Sequence, residues 1–440
     1  MNNFQSLDPY NGNILTLGLG PILSRPDALR ALTYLPAPPR QIEKVPKHIR
    51  LHHLMGLRDF HIPCLEGLRL QASIDLMIRQ SYRYRDPQVP QTWSVLGGEP
   101  SIHKTPRAPA MASVVVGHSG TGKTEAVQRS LGVYPQQVIS HPEFPRIAGA
   151  HKQVVWLSVD VPASGRSHDL AANLMWAWEA TMEKYAPDMS GRFSNTLARE
   201  RRDGEKMLDE WRQVALGHFL GILHLDEVQN FFKLPTLAKR RQKSGAKDSL
   251  ELSIIEDQCL KWILTLTNTW QIPIIFSGTP DGVGALTKRF ANIQRFITSG
   301  YHPFKPFESQ EHSFLLVFLS QLARYQFVKK PMAIASTDVG ADASQKLARD
   351  LADLIIERTA GIRRLIIALW IAAHRVAFER DEDSLTLEDF RRAADIFLAP
   401  VEPAVNALRS GNPALLSLYE DLVKQDDNFW EGFWSSLARL

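Results

Sequence analysis

Apolar residues follow two rhythms along this chain. Between about residues 62 and 83, Leu65, Leu68, Leu70, Ile74, Leu76, Met77 and Ile78 recur at the spacing of one helix face, predicting an amphipathic helix. From residue 110 onward, short β-rich runs alternate with longer helical patterns. The predicted strands are 112–116, 153–159 (Val154-Val155-Trp156-Leu157), 218–225 and 272–277, with helices at about 168–185, 195–215 and 250–268. That alternation is the signature of a parallel sheet covered by helices on both faces. After residue 307 the strands stop, and 308–325, 343–358, 362–378 and 386–397 all read as helices around a loop at 335–342. Residues 1 to about 60, with Pro36, Pro38 and Pro39, lack clear periodicity and read as an extended arm or small docking region. A Pro/Gly-rich loop, roughly 86–110, follows the first helix, and no internal repeat is visible. The expected organisation is an N-terminal extension (1–105), an α/β domain (106–307), an all-α lid (308–400) and a tail (401–440).

Composition narrows the class without naming it. A chain of 440 residues, 44% apolar and 22% charged, can bury a large core in more than one domain. No apolar run approaches a membrane span and the amino terminus lacks a basic-then-apolar leader, so no membrane is expected. Cys64 and Cys259 stand far apart and form no metal or disulfide pattern, which reads as buried thiols in a reducing compartment. The fourteen histidines are scattered, so no structural metal is expected. A net charge of +4 permits contact with nucleic acid without arguing for it.

Chemistry enters at Gly117-His118-Ser119-Gly120-Thr121-Gly122-Lys123-Thr124, which fits G-x-x-x-x-G-K-[ST] without a mismatch. The strand-like Met111–Val116 precedes it and a helix opening at Glu125 follows, the context the motif requires. Glycines let backbone N–H groups close around phosphate oxygens, and the helix start adds its positive dipole end. Lys123 would reach the β- and γ-phosphates of ATP, and Thr124 would ligate Mg²⁺. The strand ending Leu223-His224-Leu225-Asp226-Glu227 supplies the matching acids. Asp226 suits the Mg²⁺ shell and Glu227 a general base for an attacking water. No N-K-x-D guanine-reading motif occurs, which disfavours GTP. The next strand ends Phe276-Ser277-Gly278-Thr279-Pro280, where Ser277 or Thr279, preferentially Thr279, could touch the γ-phosphate or the lytic water.

Two further features complete the set. Arg289 and Arg295 lie in Leu286–Phe296, ahead of the last strand; either could be a finger projecting into a neighbouring subunit's site, or a surface ion-pair partner. Gly361-Ile362-Arg363-Arg364 opens a lid helix with the pattern G-x-x-R, so Arg364 would reach back to the phosphates. In this order the motifs resemble the AAA+ ATPases over about residues 110–400.

Three stretches are similar to the TnsC/TniB group, AAA+ regulators of DNA transposition: Ile78–Pro87, Leu157–Ser167 and Ile274–Pro280. The resemblance implies a cytoplasmic, DNA-associated prokaryotic ATPase that assembles with ATP into a ring or helical homo-oligomer on duplex DNA. It would link a target-selector protein to transposase subunits and leave on hydrolysis. Head-to-tail interfaces are consistent with an arginine acting in trans. Lys233, Lys239, Arg240, Arg241, Lys243 and Lys247 precede the first opposing acid, Asp248. They suit tracking of the phosphate backbone without base readout, or else a solvated loop. No sequence-reading DNA module is recognisable. The alternatives are a helicase loader or replication initiator, which would normally bring such a module, and a nucleotide-binding signalling switch, which would need an effector domain. In the tail, Phe429, Trp430, Phe433, Trp434 and Leu437 mark one helical face, either packed on its own domain or a hook for a partner protein.

Overall fold

The computed structural model describes residues 8–96, 111–199, 203–233, 253–254, 257–268, 270–287, 297–309, 311–334 and 342–416. Helices α1 (Arg25–Leu32), α2 (Lys47–Leu54) and α3 (Leu65–Tyr84) precede the first strand. There follow β1 (Ala112–Val116), α4 (Lys123–Leu131), an antiparallel pair β2 (Val138–His141) and β3 (His151–Val154), and β4 (Trp156–Asp160). Next come α5 (Ser167–Tyr185), α6 (Gly204–Gly217), β5 (Ile222–Asp226), α7 (Asp257–Asn268), β6 (Ile274–Gly278), α8 (Pro280–Thr287) and β7 (Tyr301–Pro303). A π-helical stretch at Ser313–Leu319 leads to α9 (Asp342–Thr359), α10 (Arg363–Phe378), α11 (Leu387–Phe397) and α12 (Glu402–Ser410).

The central sheet is parallel in the order β4-β5-β6-β1-β7. Strands β1, β5 and β6 are buried at every position, as a sheet covered on both faces requires. Val114, Leu223, Leu225 and Phe276 pack on one face with Trp178, Trp211 and Ile263 from α5, α6 and α7. On the other, Val115, Ile222 and Ile275 meet Ile74 and Ile78 of α3 and Val127 and Leu131 of α4. A separate core built on Phe314, Ile355, Leu369, Trp370 and Phe390 forms the helical lid. The expected fold class is thus the observed one, and among the described residues no helix is long and apolar enough to cross a membrane.

Of the two readings offered for the N-terminal region, an extended arm or a small docking region, the described residues 8–60 do not form an extended arm. Leu15 and Leu19 are buried against the sheet core, while Leu54, Leu57 and Phe60 lie inside the lid core. Prolines confine this region to helices of eight residues or fewer, and α1 and α2 each bury only two side chains, too few for a periodicity to show. Arg79 of α3 ties the segment down, and Arg85, just past the helix end, anchors α3 to the sheet. Arg79 donates to both oxygens of Asp75 (3.0 and 2.9 Å) and to Gly20 O (2.9 Å), and Arg85 reaches Leu220 O (2.8 Å) beside β5.

Two other boundaries shift. The apolar run expected as one strand at 153–159 changes partner at Val155: β3 pairs antiparallel with β2, whereas β4 joins the parallel sheet beside β5. The helix expected over 195–215 is divided, because Asp203 caps a new start by accepting N–H bonds from Glu205 and Lys206. Gly361 (φ +72°) has its backbone so near Phe307 that a Cβ would lie 2.0 Å from that carbonyl oxygen, so only glycine fits where the lid meets the α/β domain.

Acid should loosen the lid. His374 is fully buried, with its ring 2.8 Å (Nδ1) from Trp370 O, and burial pushes it down to about 4 although that carbonyl pulls it upward. Below the ordinary histidine value of about 6.5 the unfolded chain takes up a proton that the folded chain refuses. This stability is present above pH 6.5 and is lost as pH falls toward 4. His374→Phe is expected to remove about 3 kcal/mol of that loss, read from urea midpoints at neutral and acid pH. An unchanged pH dependence would discount His374.

Candidate nucleotide site

The loop between β1 and α4 hangs on the sheet by its first residue, Gly117, whose N–H donates to Gly278 O (3.3 Å) at the end of β6. Gly120 (φ +82°) and Gly122 (φ +94°) take left-handed conformations that turn the loop into α4. The first-turn N–H groups of α4 have no intrahelical acceptors and make an anion cradle with the dipole end. Lys123 is buried and donates to Gly117 O (2.7 Å) and His118 O (3.1 Å).

Opposite the loop, Asp226 receives hydrogen bonds from Thr124 Oγ1 (2.6 Å), from Ser277 Oγ and from the Glu227 N–H (2.9 Å). Burial alone would raise its carboxyl, but His224 and these donors outweigh that and hold it below the usual carboxylate range. Burial drives His224 itself down to about 4 against the pull of Asp226. Glu227 sits at φ +56°, and partial desolvation followed by the Asp226 charge raises its carboxyl, making it a better base. Gln229 donates to Glu227 Oε2 and accepts from the Thr279 N–H (3.3 Å), bridging the acid to the tip of β6. Asp160 stands in register with Asp226 on the neighbouring strand, and its carboxyl too is raised, by burial and then by Asp226.

The lid closes on the same loop. Arg364 donates its backbone N–H to Gly120 O (3.1 Å), and a Cβ on Gly120 would lie 3.1 Å from the Arg364 Cβ. Arg363 donates to Thr121 O (2.7 Å) while its guanidinium lies 4.6 Å from the Phe307 ring centroid. The structure therefore brings together Gly117, His118, Ser119, Gly120, Thr121, Gly122, Lys123, Thr124, Glu125, Asp226, Glu227, Ser277, Thr279 and Arg364 around one loop. Ser277 is committed to Asp226 and His224, whereas the Thr279 hydroxyl is buried with no hydrogen-bond partner among the described residues.

Sequence reading missed Arg363, Gln229 and Asp160. Arg363 adjoins the G-x-x-R arginine and Gln229 lies two residues past Glu227, so proximity in the chain was the available signal for those two, whereas Asp160 is 66 residues before Asp226 and meets it only through strand register. Arg289, Arg295, Lys239, Arg240, Arg241, Lys243 and Lys247 lie outside the described residues, as do the side chain of Lys233 and the aromatic tail. The backbone of Phe232–Lys233 pairs antiparallel with Ser253–Ile254, so both ends of the basic segment are fixed at one point just after the acids.

A parallel sheet in this order, a phosphate loop after β1, paired acids after β5 and a helical lid define the AAA+ P-loop fold. Residues 107–286 match the family model described as AAA domain, so the chain carries a domain of that kind. The chain is also similar to the solved structure of the Aeropyrum pernix Orc1 protein in complex with DNA, at 15% identity and a TM-score of 0.38, covering 76% of this chain and 66% of that one. No curated protein matches it.

Proposed function

We propose that the protein is an ATPase that regulates DNA transposition, assembling with ATP as a homo-oligomer on duplex DNA and coupling a target selector to transposase subunits. The observation that carries the ATPase reading is the contact of Thr124 with Asp226 beside a base-like Glu227. A hydroxyl and an ionised carboxylate are the hard oxygen donors that Mg²⁺ prefers, and the buried, unpaired Thr279 hydroxyl adds a polar group at the tip of β6, so these residues fit MgATP. Lys123 and the loop N–H groups would hold the phosphates, and the metal would neutralise charge on them. Glu227 takes the proton of an attacking water while Gln229 holds its carboxylate in place. Arg363 and Arg364 tie the lid to the loop, which supports a lid position set by the site's contents. The transposition reading is supported by the three family-like stretches and by the basic segment leaving the sheet next to the acids.

ATP-dependent assemblies on duplexes of arbitrary sequence are expected in negative-stain microscopy, and Lys123→Ala is expected to abolish them. A protein that stays a monomer with DNA in every nucleotide state would reject the reading.

A further inference from the structure

The strands carry a polar residue where a phosphate-loop sheet is expected to be apolar. His224, two positions before Asp226, is fully buried between β4 and β6. Its two ring nitrogens are both engaged, Nδ1 with Ser158 Oγ of β4 (2.8 Å) and Nε2 with Ser277 Oγ of β6 (2.7 Å). Ser277 in turn contacts Asp226, Asp226 contacts Thr124 (2.6 Å), and Gln128 Nε2 lies 2.7 Å from Ser158 Oγ. Thr124 and Gln128 are four residues apart on one face of α4, so the contacts close into a ring that leaves and re-enters the same helix.

Proton directions in the ring are fixed once Asp226 is ionised. A carboxylate only accepts, so Ser277 donates its single hydroxyl proton to Asp226. Ser277 oxygen then accepts from His224 Nε2–H. A neutral imidazole protonated there has a bare Nδ1, which accepts from Ser158, whose oxygen accepts from the Gln128 amide. All donors point one way, toward the carboxylate.

We propose that His224 is a positioning residue for the metal site: through Ser277 it fixes the plane and lone pairs of Asp226, and through Ser158 and Gln128 it locks that carboxylate to the helix bearing Lys123 and Thr124. This rests on the reading of the site as a MgATP site. Outer hydrogen-bond partners of metal-holding groups typically contribute about 10–100-fold to metal affinity. A network that only stabilised the sheet would change melting temperature and leave the divalent-ion dependence of nucleotide binding alone.

The test uses the full chain and a fluorescent ATP analogue titrated with Mg²⁺ and with Mn²⁺. His224→Leu is expected to raise the metal concentration for half-saturation about 10–100-fold, with metal-free nucleotide affinity within about twofold of the parent. His224→Gln, whose amide can donate to Ser277, is expected to recover most of the loss. Should His224→Leu fail to fold, Ser158→Ala removes the far link and keeps the imidazole, and a smaller rise in the same direction is expected. In nucleotide-free protein labelled with nitrogen-15 at histidine, His224 is expected as the neutral Nε2–H tautomer, its Nε2 signal moving in Ser277→Ala. Unchanged metal dependence in folded His224→Leu or Ser158→Ala, or an Nδ1–H tautomer, overturns the relay while the parent protein still shows metal-dependent nucleotide binding. Loss of that dependence in the parent overturns the nucleotide reading, and the relay with it.

Discussion

Glu227→Gln is expected to lower ATP turnover about 10²–10⁴-fold while nucleotide binding survives. Glutamine keeps the shape and the hydrogen-bonding end that faces Gln229 but cannot take a proton. The residue is suited to the base role because partial burial and the neighbouring Asp226 raise its carboxyl, and because Gln229 pins one of its oxygens. Lys123 donates to backbone carbonyls and Thr124 to Asp226, and these bonds remain when the carboxylate becomes an amide. Phosphate release under single-turnover conditions, measured beside equilibrium binding of a fluorescent nucleotide, separates the two effects. Turnover equal to the parent would remove Glu227 from the reaction.

Arg50→Ala is expected to destabilise the protein by about 3–5 kcal/mol, because it strands a buried charge. Arg50, 3% exposed, meets Asp383 through two hydrogen bonds (2.9 and 2.6 Å), donates to Phe327 O (2.7 Å) and lies 5.1 Å from the centroid of Phe378. Burial works to raise the Asp383 carboxyl, but the Arg50 hydrogen bonds and charge and the Lys329 N–H hold it below the usual range. Without the guanidinium, that carboxylate stays inside the lid unpaired. Urea unfolding of Arg50→Ala, Asp383→Ala and the double variant gives the coupling, and the double is expected to be less damaged than the sum of the singles. A loss below about 1 kcal/mol would show the pair to be dispensable. The experiment also asks whether the early segment holds the lid, since Arg50 belongs to α2 and Asp383 to the turn between α10 and α11.

What could be read from the chain depended on how local the physics was. The phosphate loop, the acids after β5 and the α3 helix are short-range patterns, and the sheet with its helical lid follows from the alternation of periods. The helices within residues 8–60 were hidden, because two-turn helices near prolines bury too few side chains to leave a rhythm. So was the partner switch at Val155, which lies inside one unbroken apolar run. His224 shows why polar residues in strands are hard to interpret: its partners Ser158 and Ser277 lie 66 and 53 residues away in sequence, and only strand order and register bring them to it. Arg79 and Arg85 teach the complementary lesson, since residues that carry part of a family resemblance serve here as internal fasteners.

Glu227 adopts a backbone shape in which glycine and asparagine are at ease and a long acid is strained by about 1–3 kcal/mol. Selection for heat resistance alone would therefore drift toward Gly or Asn at this position and discard the chemistry. A natural sequence with either residue here would describe a sturdier machine that clasps its fuel and never burns it.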